Sequence, residues 1–176
     1  MGRYSGGNYF PGSVADLSVW SRALSPAEVN ALYNQGSGIA GKPLDITGFA
    51  DLDGWWRMGD GPGDSAAPGG EIFDQSPNGN DLLAINTAAG DIVTESPGEA
   101  FWNILSLGTD GVDEFVDVGN DASFSGVDQR FSAAVWFKTT QAGTADIFGK
   151  WGGALARDWV IFLSGGQIQG YMGATA

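Results

Sequence analysis

Between Phe73 and Asp81 the chain gathers oxygen-bearing side chains into one short stretch, with Asp74, Ser76, Asn78 and Asn80 at every second position. Carboxylate, hydroxyl and amide oxygens in a turn are the donors that hard Ca²⁺ prefers, and the stretch begins like the calcium loop of an EF-hand. It departs from that loop at Ile85, where a bidentate Glu is needed, and no helical pattern precedes it. The same residues also make a polar turn in which Asn and Asp bond their own backbone. A second acidic group, Asp113-Glu114-Phe115-Val116-Asp117, invites comparison with glycoside hydrolysis, whose retaining form needs carboxyl groups roughly 5–5.5 Å apart. On a strand rising about 3.3 Å per residue, Asp113 and Asp117 share a face but lie roughly 13 Å apart, with Phe115 between them. That spacing argues against an enzyme.

Composition removes other chemistry. The chain has no Cys and no His, so disulfides, thiolate nucleophiles, Ser-His-Asp relays and zinc sites built on imidazole or thiolate are excluded. Eight Lys and Arg stand against 21 Asp and Glu, a net charge of −13, which opposes any nucleic-acid partner because phosphate contact requires a basic surface. Gly59-Asp60-Gly61-Pro62-Gly63-Asp64 is glycine-rich, yet no Lys and no helix follow it, so it is a loop rather than a phosphate cradle. The opening MGRYSGGNYF has neither a basic nor an apolar export region, and no run of eighteen apolar residues predicts a membrane span. Seven Trp and four Tyr could stack on sugars, although in a β-rich chain such rings more often pack a core.

These groups must be held by short strands. Glycine makes up 29 of the 176 residues and clusters between apolar runs, the punctuation of an all-β chain with tight turns. Strict alternation over Ser13 to Ser21 places Val14, Asp16, Ser18 and Trp20 on one face and Ala15, Leu17 and Val19 on the other. Ser25-Pro26-Ala27-Glu28 is a capping box with Pro at the first helical position, opening a single short helix that stops near Gly36. Strands are expected at Gly54–Met58, Ile104–Leu107, Glu114–Val118, Arg130–Lys138, Ala145–Phe148, Trp159–Leu163 and Gln167–Met172, the last two joined by a turn at Ser164-Gly165-Gly166. Within Arg130–Lys138, Phe131, Ala133, Val135 and Phe137 share one face, and Ser132, Ala134, Trp136 and Lys138 share the other. Trp55 and Trp56 must point to opposite faces, which predicts one ring buried and the other nearer the surface.

Taken in order, several segments resemble the laminin-G-like modules of the concanavalin A-like lectin/glucanase superfamily. Phe10-Pro11-Gly12-Ser13-Val14-Ala15-Asp16-Leu17-Ser18-Val19-Trp20-Ser21-Arg22-Ala23-Leu24-Ser25 is similar to that family's final strand and the start of its closing helix. Gly54-Trp55-Trp56-Arg57-Met58-Gly59-Asp60-Gly61 and Phe73-Asp74-Gln75-Ser76-Pro77-Asn78-Gly79-Asn80-Asp81 resemble its first strand and the loop after it. Gly111–Gly119 and Phe131–Lys138 resemble the next two strands. The resemblance implies an all-β jelly-roll sandwich of two antiparallel sheets with one short helix. It assigns residues 1–37 to the closing strand and helix of one module, 38–48 to a linker, and 49–176 to the N-terminal portion of a second module. The chain then reads as part of a longer repeat-bearing protein; alternatively, residues 1–37 complete the module that follows.

The resemblance also implies a structural Ca²⁺ tying first strand to last, which would recruit Asp16, Asp60 or Asp64, and Asp74 with Asn78 from the loop. Glucanases share the sandwich, yet their Glu-x-Asp-x-Glu strand is broken here by Phe115. The function implied is therefore non-catalytic: a binding or adhesion module recognising a glycan or protein surface, extracellular or at the cell surface. The alternative is a structural component of a virion, self-associating through open sheet edges.

Overall fold

A computed structural model describes residues 8–33, 41–47, 50–94, 103–119, 124, 130–152 and 156–172. The chain is mostly β. In order its elements are β1 (Pro11–Trp20), α1 (Pro26–Tyr33), α2 (Pro43–Thr47), β2 (Leu52–Trp56), β3 (Glu71–Ile72), β4 (Leu82–Ile85), β5 (Ile92–Val93), β6 (Ser106–Asp110), β7 (Phe115–Asp117), β8 (Ser132–Lys138), β9 (Ala145–Gly152), β10 (Ala156–Ser164) and β11 (Gln167–Met172). All pairings are antiparallel, in a five-stranded sheet of β1, β2, β5, β6 and β8, a sheet β11-β10-β9 and a sheet β3-β4-β7.

β1 is the centre of the large sheet. Ser13 and Val14 pair with both β6 and β8, while Ser18, Val19 and Trp20 pair with both β2 and β8. Since a strand has two edges, β8 follows one of them and β6 and β2 divide the other end to end. The segment that resembles a module's closing strand is thus joined to strands that resemble the opening of the next module.

A β-bulge at Asp16 alters the expected alternation. Ala15 pairs with Trp136 and Ser18 with Ala134, so Asp16 and Leu17 stand opposite the single residue Val135. Asp16 takes the left-handed conformation, φ 53°, which Asp tolerates better than most residues. The extra residue shifts the phase: Val14 joins Leu17 and Val19 in the main core, not the face of Trp20 as alternation predicts. That core draws on all three sheets, with Trp56, Leu107, Ile72, Leu82, Ile147, Phe148 and Trp159 among its members.

The other face of the large sheet is covered by helices. The sequence leads us to expect one helix; the described residues contain two, because α2 forms within the stretch read as linker. Leu44 and Ile46 of α2 and Leu32 of α1 pack with Trp20, Leu52 and Trp55. With only two apolar positions in five residues, α2 is too short to register as a periodic signal and is held by this packing. The same cover corrects the expectation for the tandem tryptophans: they do point to opposite faces, but both are buried, Trp56 in the main core and Trp55 under the helices.

Local chemistry fixes both ends of this arrangement. The α1 capping box forms as its sequence predicts: Ser25 N–H donates to Glu28 Oε2 (2.7 Å) and Glu28 N–H to Ser25 Oγ (3.3 Å). Glu28 also receives Arg22 at 2.6 Å, and chiefly that bond, aided by Ser25, holds its carboxyl down to about 2. At the β10–β11 turn Gly165 and Gly166 adopt φ 58° and 74°, the paired positive angles of a type I′ hairpin.

Candidate functional site

The oxygen-rich loop lies along the edge of β2 and takes the place of a strand there. Asp74 Oδ1 accepts the N–H of Trp55 (2.9 Å) and of Ser76 (2.8 Å), and Oδ2 accepts Ser76 Oγ–H (2.7 Å) and Asn80 N–H (3.0 Å). Gln75 N–H donates to Trp55 O at 2.7 Å. The amide of Asn78 reaches Leu52 O and Asp53 O (3.0 and 3.1 Å), and that of Asn80 reaches Asp53 O (2.9 Å). Trp56 Nε1–H donates to Asn80 O at 2.7 Å. Backbone groups that an uncovered edge would leave bare are satisfied by side chains, which also hides the edge from other chains.

Asp16 lies at the bulge, where β6 gives way to β2, and is only 2% exposed. Its Oδ1 accepts the indole N–H of buried Trp55. Burial is the largest influence on its carboxyl and pushes it up to about 7, against the lowering effects of the Trp55 bond and of the Arg57 charge. Arg57 is itself braced: its Nε–H donates to Asn103 Oδ1 (3.0 Å), and Asn103 Nδ2–H returns to Arg57 O (2.6 Å).

The four residues of the calcium expectation therefore have different neighbours. Asp74 and Asn78 are in the β2 clamp, Asp16 is under Trp55, and Asp60 Oδ2 accepts Leu105 N–H at 2.7 Å. Asp64, the alternative to Asp60, accepts the N–H groups of Gly59, Gly61 and Phe73 at 2.9, 3.0 and 2.9 Å; burial raises its pKa and those bonds offset part of the rise. Among the described residues, no three acidic side chains come together as a metal site. In the Asp113–Asp117 group, Glu114 braces a turn through Asp110 N–H (2.7 Å) and Asp117 accepts Gly119 N–H (2.9 Å). Asp113 is exposed.

No family model, curated protein or solved structure matches the chain.

One aromatic pair is open to solvent. At the end of α1, Tyr33 stacks on Trp136 of β8, with ring centroids 5.9 Å apart and planes 13° from parallel. Tyr33 is 59% exposed, while Trp136 is half-buried beneath it. On the helix one turn before Tyr33, Val29 is also exposed. The face that carries Trp136 is legible from alternation in β8, but its partner is not: Tyr33 and Trp136 are far apart in sequence and meet only because α1 folds over the sheet.

Proposed function

We propose that this chain is a non-catalytic recognition module that binds a glycan, built as a jelly-roll sandwich of the concanavalin A-like, laminin-G-like kind, and that it acts outside the cell or at its surface. The order of family-like segments supports the architecture, as do antiparallel sheets sharing one core. In this reading β1 and α1 close the same module that β2 opens. The observation that carries the function is Tyr33, an exposed ring held flat against Trp136. A pyranose presents an apolar C–H face to such a ring, and because the second ring already fixes the first, little side-chain entropy is lost on contact. The carboxylates, by contrast, are employed as acceptors for backbone N–H groups.

Retention of the chain on a glycan array tests this, with light scattering in the absence of sugar as its companion. A monomer retained on the array is the expected result. Failure to bind any glycan counts against it.

A second reading, assembly into a larger structure such as a virion, has one specific support. Every residue of β11 is exposed, including Ile168 (63%) and Met172 (60%), and among the described residues β11 pairs with β10 alone. A stable oligomer that disperses when Ile168 becomes Lys would favour it.

A further inference from the structure

The glycan reading leaves the chemical class of sugar open, and the residues around the aromatic pair narrow it. Trp136 and Lys138 lie two apart on the regular strand β8, so both side chains project from the face that the helices partly cover. Their Cα atoms are about 6.6 Å apart on such a strand, roughly the span of one pyranose ring. Lys138 is exposed and, among the described residues, makes no ion pair. On β1, Ala15 pairs with Trp136 and Ser13 with Lys138. The chain immediately beyond β2 carries Arg57, on the same face as Trp55. Only eight cationic side chains exist in a chain of net charge −13, and Lys138 and Arg57 are two of them.

On the same face as Lys138 but two strands away, exposed Asp110 of β6 accepts Val112 N–H, and two other carboxylates adjoin Arg57. Asp16 is buried, and Asp60 lies 4.0 Å from Arg57 with its carboxylate turned to the Leu105 amide. Repulsion from the remaining acidic surface is screened beyond about 10 Å at ordinary ionic strength, so a local cation can still select an anion.

We propose that the Tyr33–Trp136 pair and Lys138 form a subsite for a negatively charged saccharide, a uronic acid, sialic acid or sulfated residue whose ring stacks on Tyr33 and whose anionic group meets the Lys138 ammonium. This rests on the glycan reading. The subsite supplies position and charge and performs no reaction.

The test uses the whole chain on an array bearing uronate, sialylated and sulfated glycans beside their neutral counterparts, followed by titration with the best acidic ligand. Tyr33→Ala and Lys138→Gln should each weaken binding about tenfold or more, and salt should weaken it for the wild type more than for Lys138→Gln. Lys138 is exposed, so Lys138→Gln should retain the wild-type melting temperature even if loss of Tyr33 loosens α1. Equal binding of acidic and neutral sugars, with Lys138→Gln unchanged, overturns the charge selection. Binding by the wild type that neither substitution affects places the site elsewhere and overturns the subsite while sparing the glycan reading. No binding at all overturns both.

Discussion

Asp16→Asn replaces a buried carboxyl group with an amide of the same shape that also tolerates the left-handed angle at the bulge. In the unfolded chain the carboxyl titrates near 3.8, and in the fold near 7. The native state therefore holds an extra proton between those values. The contribution to stability is complete below the unfolded value and is lost as the pH rises through the folded one. A shift of about three units corresponds to about 4 kcal/mol. Urea unfolding of both proteins from about pH 4 to about pH 8 gives the comparison, because Asp64, Glu114 and Glu28 titrate in both and cancel in the difference. The variants should match at the acid end within about 1 kcal/mol, and Asp16→Asn should be the more stable by several kcal/mol near pH 8. If wild type is instead the more stable at pH 8, the ionised carboxylate is net favourable beside Arg57, and the desolvation argument at the bulge is wrong. Asp16→Ala compared with Asp16→Asn separates out the indole: both lack the titrating carboxyl, and the unpaired buried N–H on Trp55 should make the alanine variant less stable than the asparagine variant by about 1–3 kcal/mol at every pH.

Three further outcomes follow from the geometry. Asp74→Ala removes an acceptor from four donors and should destabilise by about 2–4 kcal/mol in urea, with faster hydrogen exchange at the Trp55 amide; unchanged exchange there would contradict the clamp. A Cβ on Gly54 would sit 2.3 Å from the Trp56 ring, so Gly54→Ala should lower stability by about 1–3 kcal/mol, and a neutral effect would show that the ring has room to move. Because backbone and hydroxyl donors occupy both Asp74 oxygens, millimolar Ca²⁺ followed by chelator should move the melting temperature by less than about 1 °C; a rise of several degrees on adding the ion would support the calcium expectation instead.

Much of the sheet framework can be read from the residues because strands announce themselves through apolar alternation and bounding glycines. The hairpin at Gly165-Gly166 and the helix start at Ser25 each depend on a few adjacent residues with one dominant conformation. Three elements gave little signal. β3, β4 and β5 are two to four residues long and are held by pairing partners distant in sequence, such as Ala84 with Val116 and Ile92 with Leu107. The bulge at Asp16 is silent because alternation assumes a regular strand, and only pairing with β8 reveals the inserted residue. The same limit applies to the oxygen-rich loop. Its composition signals many hydrogen-bond acceptors, whereas which donors they meet depends on β2 lying alongside. The stacked pair depends on the whole fold, since α1 reaches Trp136 only once β1 and β8 have paired.

Titration of the isotopically labelled chain with an acidic oligosaccharide, tetragalacturonate in the first instance and the best acidic ligand from the array after it, bears most directly on the proposed role. Each Trp indole N–H is followed as a separate resonance. The Trp136 signal should shift with saturation, while those of Trp55 and Trp56, engaged with Asp16 and Asn80, stay in place. A saturable response confined to other tryptophans, or none with any acidic ligand, would contradict recognition at the Tyr33 platform.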